Sequence, residues 1–559
     1  MRTFHNTIHS LHYKRWLLNL AVLAAAALPA ACRHYDNDDK MIFRYNEVAG
    51  IATLDPAFSK DQALNWVNSQ LYCGLVRLDE ELNVGPCIAK SWEVSDDGRV
   101  YTFHLRDDVW YHKNGVMRDS TRRVVAQDFV YSFGRIVSPK VASPGLWIFH
   151  VVDTADGFRA LDDSTLQVRL RLPFAPFLSM LSMPYCSVVP QEVVEFYGED
   201  YRRHPVGTGP FRLQLWKEGV KLVLRRNPLY FEKDSLGIAL PYLDAVATTF
   251  IADKQTAFLE FVKGNLDFMN SLDASYKDEL LTRTGQLKPK YKDKMVMVST
   301  PFLNTEYLGF NMRDKGKGRS GKSPLDDRRV RQAINYGFDR VKMVKYLRNG
   351  IGRPGTLGFI PPGLPGSDST ARHGYSYAPE KARELLREAG YPDGKGLPEL
   401  RLTTTSSYLD LCRYLQQQLG LIGIDVKLDV TPPAALREEI AQGKVEWFRG
   451  SWIADYPDAE NYLSLFYSRN EAPTGPNTTH FRSKSFDRLY ERCLCESDVR
   501  QRQQLYRQMD SLVMEEAPVL VLYYDQVLHF TCPTVSGLRS NAMNALDLRY
   551  VKIEKSSSR

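Results

Sequence analysis

Cys32 is the side chain in this sequence whose surroundings most clearly predict a chemical modification. The residues before it include Arg2, Lys14 and Arg15 but no acid, and an apolar run over 16–28 follows them. A basic start and an apolar run too short to cross a bilayer are typical of a secretory signal peptide. Because Cys32 comes directly after small residues at the end of this segment, we expect its thiol to be lipidated and to anchor the chain to a membrane.

The cleavage region fits that prediction with one departure. It resembles a bacterial lipobox, but Pro29 stands three places before the cysteine, where Leu is usual, and Leu28 lies one place too early. The alternative is an ordinary signal peptide whose removal leaves Cys32 as a free thiol or discards it. In either case we expect residues 1–32 to be a signal segment and the polar residues 33–40 to be a tether.

A second pattern suggests phosphate binding, but its context argues against that chemistry. Residues 316–323 read Gly-Lys-Gly-Arg-Ser-Gly-Lys-Ser and satisfy the P-loop pattern G-x-x-x-x-G-K-[ST]. A P-loop holds phosphate because its Lys and Ser open a helix, whose N–H groups and dipole face the anion. Here Pro324 follows, and the next helix is predicted to begin only near Asp326. We therefore expect a solvated basic loop over 314–323.

Residues that could support hydrolysis are scattered along the chain. The 11 His residues form no H-E-x-x-H zinc pattern, and no G-x-S-x-G nucleophile motif occurs. Acid pairs such as Asp96-Asp97 and Asp326-Asp327 fall in turns or at helix starts, where capping accounts for them. An exported hydrolase is therefore an alternative without a motif in its favour.

Composition sets wide limits on the class of protein. The chain has 559 residues with 73 Lys and Arg against 66 Asp and Glu, and without the three basic residues of the signal segment the balance is 70 against 66. This near neutrality gives no reason to expect a nucleic-acid partner. The length favours more than one domain. The eight cysteines are too scattered for a small disulfide framework, and we expect most of them to be buried as small apolar residues.

The elements that must position any site are both strands and helices. Alternating apolar and polar residues predict half-buried strands at 101–106, 165–172 and 221–226. Apolar positions spaced three and four apart predict helices at 379–390 and 501–516. The mixture indicates a chain that combines α and β structure.

Nine short segments spread over almost the whole chain form a recognisable series: Thr53–Pro56, Gln70–Arg77, Ile88–Arg106, Val125–Phe133, Gly207–Arg212, Asn227–Phe231, Tyr307–Asn311, Asp327–Ile334 and Trp452–Asp458. No single segment is specific. Taken in order, they resemble family 5 extracellular solute-binding proteins, the peptide receptors of ABC importers.

The resemblance implies an α/β fold of the type II periplasmic-binding-protein class, a clamshell of two lobes with an extra α+β domain on the first lobe. It implies that 41–73, 209–306 and 527–559 form the first lobe, 74–208 the extra domain and 307–526 the second lobe. By this resemblance, the protein would be a monomer that is not an enzyme and needs no cofactor. It would be held in the periplasmic space by its lipid anchor, close its lobes on an oligopeptide and deliver it to an ABC importer permease.

The same resemblance assigns ligand contacts to the segment from Arg449 to Asp455. Asp455 would bind the α-amino group of a peptide, because a carboxylate enclosed in a cleft loses hydration unless a cation replaces the water. Arg449 would meet a backbone carbonyl or a C-terminal carboxylate, for which its fork of donors is suited. The alternative for Asp455 is that it is a surface residue in the turn before Pro457. The alternative for Arg449 is that it forms a structural ion pair with an acid.

Three aromatic residues complete the expected site. Trp452 is expected as an apolar wall of the cleft or as core, and Tyr307 as a hydroxyl donor to the ligand or as packing at a lobe crossing. Trp147 is expected to reach toward the ligand. Relatives of the family also bind nickel chelates, haem or oligosaccharides, which are alternatives to a peptide, but Asp455 together with Arg449 favours a zwitterion.

Overall fold

A computed structural model gives the structure of residues 40–271, 274–313, 323–364 and 373–554, with the side chains of 274–276 left out. Cys32, the signal segment, most of the tether and the P-loop-like segment up to residue 322 lie outside these ranges. The predictions made for them stay predictions.

The first part of the chain contains a small antiparallel sheet beside short helices. Its elements are β1 (Ile42–Asn46), α1 (Gln62–Leu71), β2 (Val76–Leu78), β3 (Val84–Pro86), β4 (Ala89–Val94), β5 (Val100–Leu105), α2 (Ala126–Val137), β6 (Phe158–Asp162), β7 (Thr165–Arg169), α3 (Phe177–Met180) and α4 (Gln191–Tyr197). Strands β4, β5, β7 and β6 form a four-stranded sheet in that order, and β2 pairs with β3. Two of the three predicted strands, at 101–106 and 165–172, are therefore confirmed as β5 and β7, and the structure shows that they pair with each other.

The middle of the chain supplies strands to a larger sheet. Its elements are β8 (Phe211–Lys217), β9 (Lys221–Arg226), β10 (Ala245–Thr249), α5 (Lys254–Val262), β11 (Phe268–Asn270), α6 (Ala274–Leu280) and the long strand β12 (Val296–Phe310). The predicted strand at 221–226 is β9, which pairs antiparallel with β8 and β10.

The last part of the chain alternates helices and strands. Its elements are α7 (Arg328–Tyr336), α8 (Arg340–Leu347), β13 (Arg353–Pro354), α9 (Pro379–Glu388), β14 (Leu400–Thr404), α10 (Leu409–Gly420), β15 (Val426–Val430), α11 (Pro433–Ala441), β16 (Trp447–Ile453), α12 (Glu460–Leu463), α13 (Lys484–Leu494), α14 (Val499–Glu516), β17 (Val519–Thr531), β18 (Val535–Ser536) and β19 (Lys552–Ile553). The predicted helices at 379–390 and 501–516 are α9 and α14.

Aspartate and serine caps explain where many of these helices begin. The side chain of Asp61 accepts a hydrogen bond from the backbone N–H of Leu64 at the start of α1, and Asp498 accepts one from Gln501 at the start of α14. Comparable caps open α5, α7, α8 and α13. Each cap satisfies a backbone donor that has no partner inside its helix.

The long strands β12 and β17 lie in the middle of the larger sheet, between strands β15, β14 and β16 on one side and strands β11, β1, β10, β9 and β8 on the other. The sheet has 11 strands, ordered β15-β14-β16-β12-β17-β11-β1-β10-β9-β8, with β13 paired to β17. The antiparallel strands β12 and β17 pair from Val296 opposite Thr531 to Gly309 opposite Val519, and their register shifts between Pro301 and Thr305 and between Glu306 and Tyr307. Because β11 pairs with one end of β17 and β16 with the other end of β12, these strands run through both parts.

The buried side chains are mostly apolar, as the composition requires. Phe310 of β12 stacks on Trp447 of β16 with ring centroids 5.5 Å apart, and Phe359 packs edge-on against Phe466. The seven cysteines in the described ranges are free thiols and five of them are buried. Among the described helices, none combines the length and the apolarity that a bilayer crossing requires.

Candidate functional site

A cavity of about 540 Å³ lies between segments that are far apart in the sequence. Its walls come from α1, the β2–β3 hairpin, the segment 182–187, the turn at Asp455 and Pro457, and the C-terminal segment 539–550. The volume lies within the range typical of sites that enclose small organic ligands.

Helix α1 is fastened to the C-terminal segment by polar side chains. Trp66 donates its indole N–H to the carbonyl of Asn544 at 2.7 Å, and Gln62 donates to the same carbonyl at 3.0 Å. One helical turn after Trp66, the side chain of Gln70 donates a hydrogen bond to the carbonyl of Leu546 at 2.8 Å. These bonds hold two walls of the cavity in a fixed relation.

Asp455 lies in this cavity, just beyond the end of β16. The side-chain oxygen of Asn461 accepts a hydrogen bond from the backbone N–H of Asp455 at 3.2 Å and from the indole N–H of Trp452 at 2.9 Å. Asn461 is itself buried. The amide therefore positions the strand end that carries the carboxylate.

The carboxylate of Asp455 has no cationic partner in the part of the chain that the structure describes. The side chain is exposed to solvent at the cavity wall, yet neighbouring protein removes enough of its hydration to raise its pKa, with the side chain of Asn461 acting in the opposite sense. No nearby positive charge contributes to that shift. An acid in this state gains from any cation that enters the cavity.

Tyr185 connects Asp455 with the start of α1. Burial raises the pKa of Tyr185 to about 12, and the negative charges of Asp455 and Asp61 act in the same direction. Asp61 is the capping residue of α1, whose next residue, Gln62, lines the cavity. Carboxylates from the first and last parts of the chain therefore act on the same tyrosine.

Arg449 already has an acidic partner within the protein. Its guanidinium forms an ion pair with Glu306 of β12 and lies over the ring of Tyr408, 3.6 Å from the centroid. Its Nε is buried without a hydrogen-bond partner among the described residues. This is the structural ion pair that the sequence left open as the alternative, and Arg449 is not among the residues that line the cavity of Asp455.

The three predicted aromatic residues also have protein partners. Tyr307 is buried, packs on Phe359 at 5.2 Å, and burial raises its pKa to about 12. Trp452 is half-buried and bonded to Asn461. Trp147 lies 6.0 Å from the ring of Tyr456, the residue after Asp455. None of the three is among the residues lining this cavity, and their predicted ligand contacts stay predictions.

Two further acids follow Asp455 in the sequence, the half-buried Asp458 and the buried Glu460, and both are hydrogen-bonded to tyrosines. Glu460 accepts hydrogen bonds from the hydroxyls of Tyr456 and Tyr490, and Tyr506 donates to Asp458 at 2.5 Å. Burial raises the pKa of Glu460 to about 7 and also raises that of Asp458. These hydroxyls anchor the turn that follows Asp455.

The cavity also contains arginines that the sequence did not single out. Arg549 bonds to Asp547 at 2.7 Å and to Glu232 at 2.6 Å, and Glu232 also pairs with Arg77. Arg539 is the third arginine in the wall. No pattern marks these residues in the sequence, because their proximity depends on packing α1 and the hairpin against the C-terminal segment.

Solved structures share this fold. The peptide-bound periplasmic binding protein DppA from Helicobacter pylori matches 92% of this chain and 98% of its own, with 26% identity and a TM-score of 0.71. HbpA2 from Haemophilus parasuis matches 92% of this chain and all of its own, with 22% identity and a TM-score of 0.79. The fold is therefore that of the type II periplasmic binding proteins, a class that encloses a solute in a cleft.

The sequence comparison narrows this class to one family. The profile of bacterial extracellular solute-binding proteins, family 5 Middle, matches residues 83–474. The glutathione-binding protein GsiB of Escherichia coli O157:H7 is 27% identical over 527 residues, covering 93% of this chain and 95% of that protein. The chain belongs to the family 5 extracellular solute-binding proteins, which serve ABC importers and are not enzymes.

Proposed function

We propose that this protein captures short peptides with a free amino group and delivers them to the permease of an ABC importer. The observation that carries the proposal is Asp455, a carboxylate in the cavity that has no cationic partner among the described residues. A peptide ammonium supplies the missing positive charge and up to three hydrogen-bond donors.

The ligands named for similar proteins agree with this choice. GsiB is named for glutathione, DppA was solved with the peptide STSA, and MppA is named for a murein tripeptide. Glutathione is itself a tripeptide with a free α-amino group. These ligands all have an amino group that a carboxylate such as Asp455 can bind.

The experiment compares ligands that differ only at the amino end. Titration calorimetry would use an equimolar tripeptide mixture and glutathione, each in free and N-acetylated form, with the wild type, Asp455→Asn and the control Asp410→Asn. Asp410 is an exposed acid outside the cavity. We expect N-acetylation and Asp455→Asn each to weaken binding at least a hundredfold, because each removes one partner of an enclosed charge pair.

The alternative ligands give distinct results in the same assay. Unchanged affinity in Asp455→Asn, or equal binding of free and acetylated peptides, would contradict the proposal. A chelated nickel ion, haem or an oligosaccharide that binds the wild type while the tripeptide mixture does not would identify another member of the family's ligand range.

Two features of the delivery mechanism belong to the same proposal. We expect two lobes to close on the ligand, since a ligand held by both lobes favours the closed population. The first lobe would consist of 41–73, 209–306 and 527–559, with the extra domain 74–208 attached to it. The second lobe would consist of 307–526. Small-angle scattering should show a smaller radius of gyration with saturating tripeptide, and an unchanged curve would contradict closure.

Lipidation of Cys32 should appear as a lipid mass on the N-terminal peptide that Cys32→Ser lacks.

A further inference from the structure

Cys73 and Cys87 lie together in the wall of the cavity, and the proposed function uses neither of them. Both are free thiols. The two residues are only 8% and 5% exposed, yet both are among the residues that line the cavity. A small solute inside the cavity can therefore reach two sulfur atoms that the rest of the protein covers.

The local backbone places these two thiols in contact. Cys73 lies two residues after the end of helix α1, and Cys87 directly follows strand β3. The backbone N–H of Cys87 donates to the carbonyl of Leu75 at 3.2 Å, next to the pairing of β2 with β3. The two thiols are hydrogen-bonded to each other, and the Sγ of Cys73 has one longer contact of 3.8 Å with the carbonyl of Thr208. Since a disulfide requires cysteine side chains that point toward each other, this contact is a geometry from which one can form.

Cys87 is the more acidic of the two thiols. The hydrogen bond with Cys73 lowers the pKa of Cys87, and the positive charges of Arg77 and Arg549 act in the same direction. Burial and the negative charge of Glu232 act against them. The same hydrogen bond, together with burial, holds the pKa of Cys73 well above its usual value. Because the thiolate is the attacking form of cysteine, Cys87 is suited to attack a disulfide and Cys73 to react second.

The other cysteines of the described ranges lack this environment. None of them is among the residues that line the cavity. Burial raises the pKa of four of them, which are Cys186, Cys412, Cys493 and Cys532. Buried cysteines of this kind are small apolar residues with inert thiols. The pair in the cavity wall differs from them both in access and in acidity.

We propose that Cys87 and Cys73 form a thiol–disulfide exchange site, which reacts with low-molecular-weight disulfides that enter the cavity. The thiolate of Cys87 attacks one sulfur of the disulfide, forms a mixed disulfide and releases one thiolate, which takes the proton of Cys73. The thiolate of Cys73 then attacks the sulfur of Cys87, forms the Cys73–Cys87 disulfide and releases the second thiolate, which takes a proton from water. The two cysteines are thereby oxidised, and one external disulfide is reduced to two thiols.

This reaction is stoichiometric, because each protein molecule has one such pair in the cavity wall. It goes beyond the proposed function, since it requires neither Asp455 nor a peptide. It adds a covalent chemistry to a cavity whose other walls offer ion pairs and hydrogen bonds.

The test follows each thiol after the reduced full-length protein is mixed with bis(2-hydroxyethyl) disulfide, a small disulfide without an amino group. Samples taken over time would be quenched in a denaturing maleimide solution, digested with trypsin and analysed by mass spectrometry. Trypsin separates Cys73, on peptide 61–77, from Cys87, on peptide 78–90. A disulfide between them therefore appears as a linked pair of peptides, and a mixed disulfide as one mercaptoethanol on a single peptide.

The proteins would be the wild type, Cys73→Ala, Cys87→Ala and the control Cys186→Ala. Cys186 is a matched control, because it is buried close to Cys73 in the segment whose Val188 N–H donates to the Cys73 carbonyl, but it does not line the cavity. We expect linked peptides in the wild type and in Cys186→Ala. Cys73→Ala should stop at the mixed disulfide on Cys87, whereas Cys87→Ala should react at Cys73 at least about tenfold more slowly.

Two further thiols calibrate the reaction. Cys495 is exposed and lies on peptide 493–500, and Cys412 is buried outside the cavity on peptide 402–413. Absence of the linked pair in the wild type while Cys495 carries mercaptoethanol would overturn the exchange site. Reaction of Cys412 as fast as Cys87 would overturn it too, because the thiols would then react only in unfolded chains.

Equal rates at the remaining thiol in Cys73→Ala and Cys87→Ala would contradict the assignment of Cys87 as the attacking group. These outcomes are distinguishable from failure of the proposed function. The latter would appear in calorimetry as unchanged peptide affinity in Asp455→Asn, a variant in which we expect the exchange reaction to proceed as in the wild type.

Discussion

Two acids near β16, Glu306 and Asp455, differ both in exposure and in what neutralises them, because Glu306 is buried whereas Asp455 is exposed to solvent at a cavity wall. Glu306 in β12 is 2% exposed and is paired with Arg449, which lies over Tyr408. Asp455, six residues after Arg449, has no such partner among the described residues and lines a cavity that water enters. The comparison shows how a paired charge supports the fold, whereas an unpaired charge in a cavity is suited to a ligand.

Two other buried acids, Glu460 and Asp510, are hydrogen-bonded to uncharged groups. Glu460 receives two tyrosine hydroxyls, and Asp510 accepts the backbone N–H of Phe359 at 2.8 Å. Burial raises the pKa of both carboxyls to about 7. These acids are therefore partly protonated at neutral pH, which reduces the cost of burying them.

The largest effect is expected from breaking the paired acid. Glu306→Gln leaves the Arg449 guanidinium enclosed without a counter-charge, so the free energy of unfolding should fall by about 3 kcal/mol. Urea denaturation measures this, and the double variant Glu306→Gln with Arg449→Met should recover part of the loss. A single variant as stable as the wild type would show that the ion pair does not support the fold.

A second effect, which is at most about 1.4 kcal/mol for each pH unit, is expected for the protonated acid Glu460. Between pH 4.5 and about 7 the unfolded chain ionises Glu460 while the folded protein keeps its proton, so this residue's contribution to stability is lost as pH rises through that interval. Glu460→Gln has no such proton. Its free energy of unfolding relative to the wild type should therefore rise with pH, by up to about 1.4 kcal/mol per pH unit.

Urea denaturation of both proteins over pH 4.5 to 7 gives this difference, because titrating groups that do not interact with Glu460 contribute equally to both proteins. A difference that stays constant across the interval, or that falls as pH rises, would mean that Glu460 is ionised in the folded protein.

The smallest effect on the free energy of unfolding is expected from replacing Asp455. Asp455→Asn removes a charge without a partner, so the free energy of unfolding of the ligand-free protein should change by no more than about 0.5 kcal/mol. Thermal and urea denaturation beside Glu306→Gln would test this. A loss as large as that of Glu306→Gln would show that Asp455 is structural after all.

Local elements of this fold were predictable because they depend on neighbouring residues. The strand at 101–106 alternates buried and half-buried positions, and helix α9 ends at Glu388 just before Gly390, which adopts a φ of +93°. Helix α14 begins at Val499, before the predicted start at residue 501, because Asp498 caps it. Sequence periodicity does not detect a polar first turn.

The site was predictable only where a family pattern marks it. Asp455 was assigned by resemblance, but nothing local in the sequence indicates that Arg77, Arg539 and Arg549 line the same cavity. The bond from Trp66 to Asn544 joins residues 478 positions apart, and it is contacts of this kind that bring the walls together. Similarly, the sequence named Arg449 and left its partner open, since Glu306 reaches it only through the register of β12 with β16.

The most direct test of the central claim is a crystal structure of the protein with a bound tripeptide that has a free amino group. We expect the ammonium nitrogen to lie within hydrogen-bond distance, about 2.7–2.9 Å, of a carboxylate oxygen of Asp455. A bound peptide whose amino group points away, with Asp455 still facing water, would contradict the account.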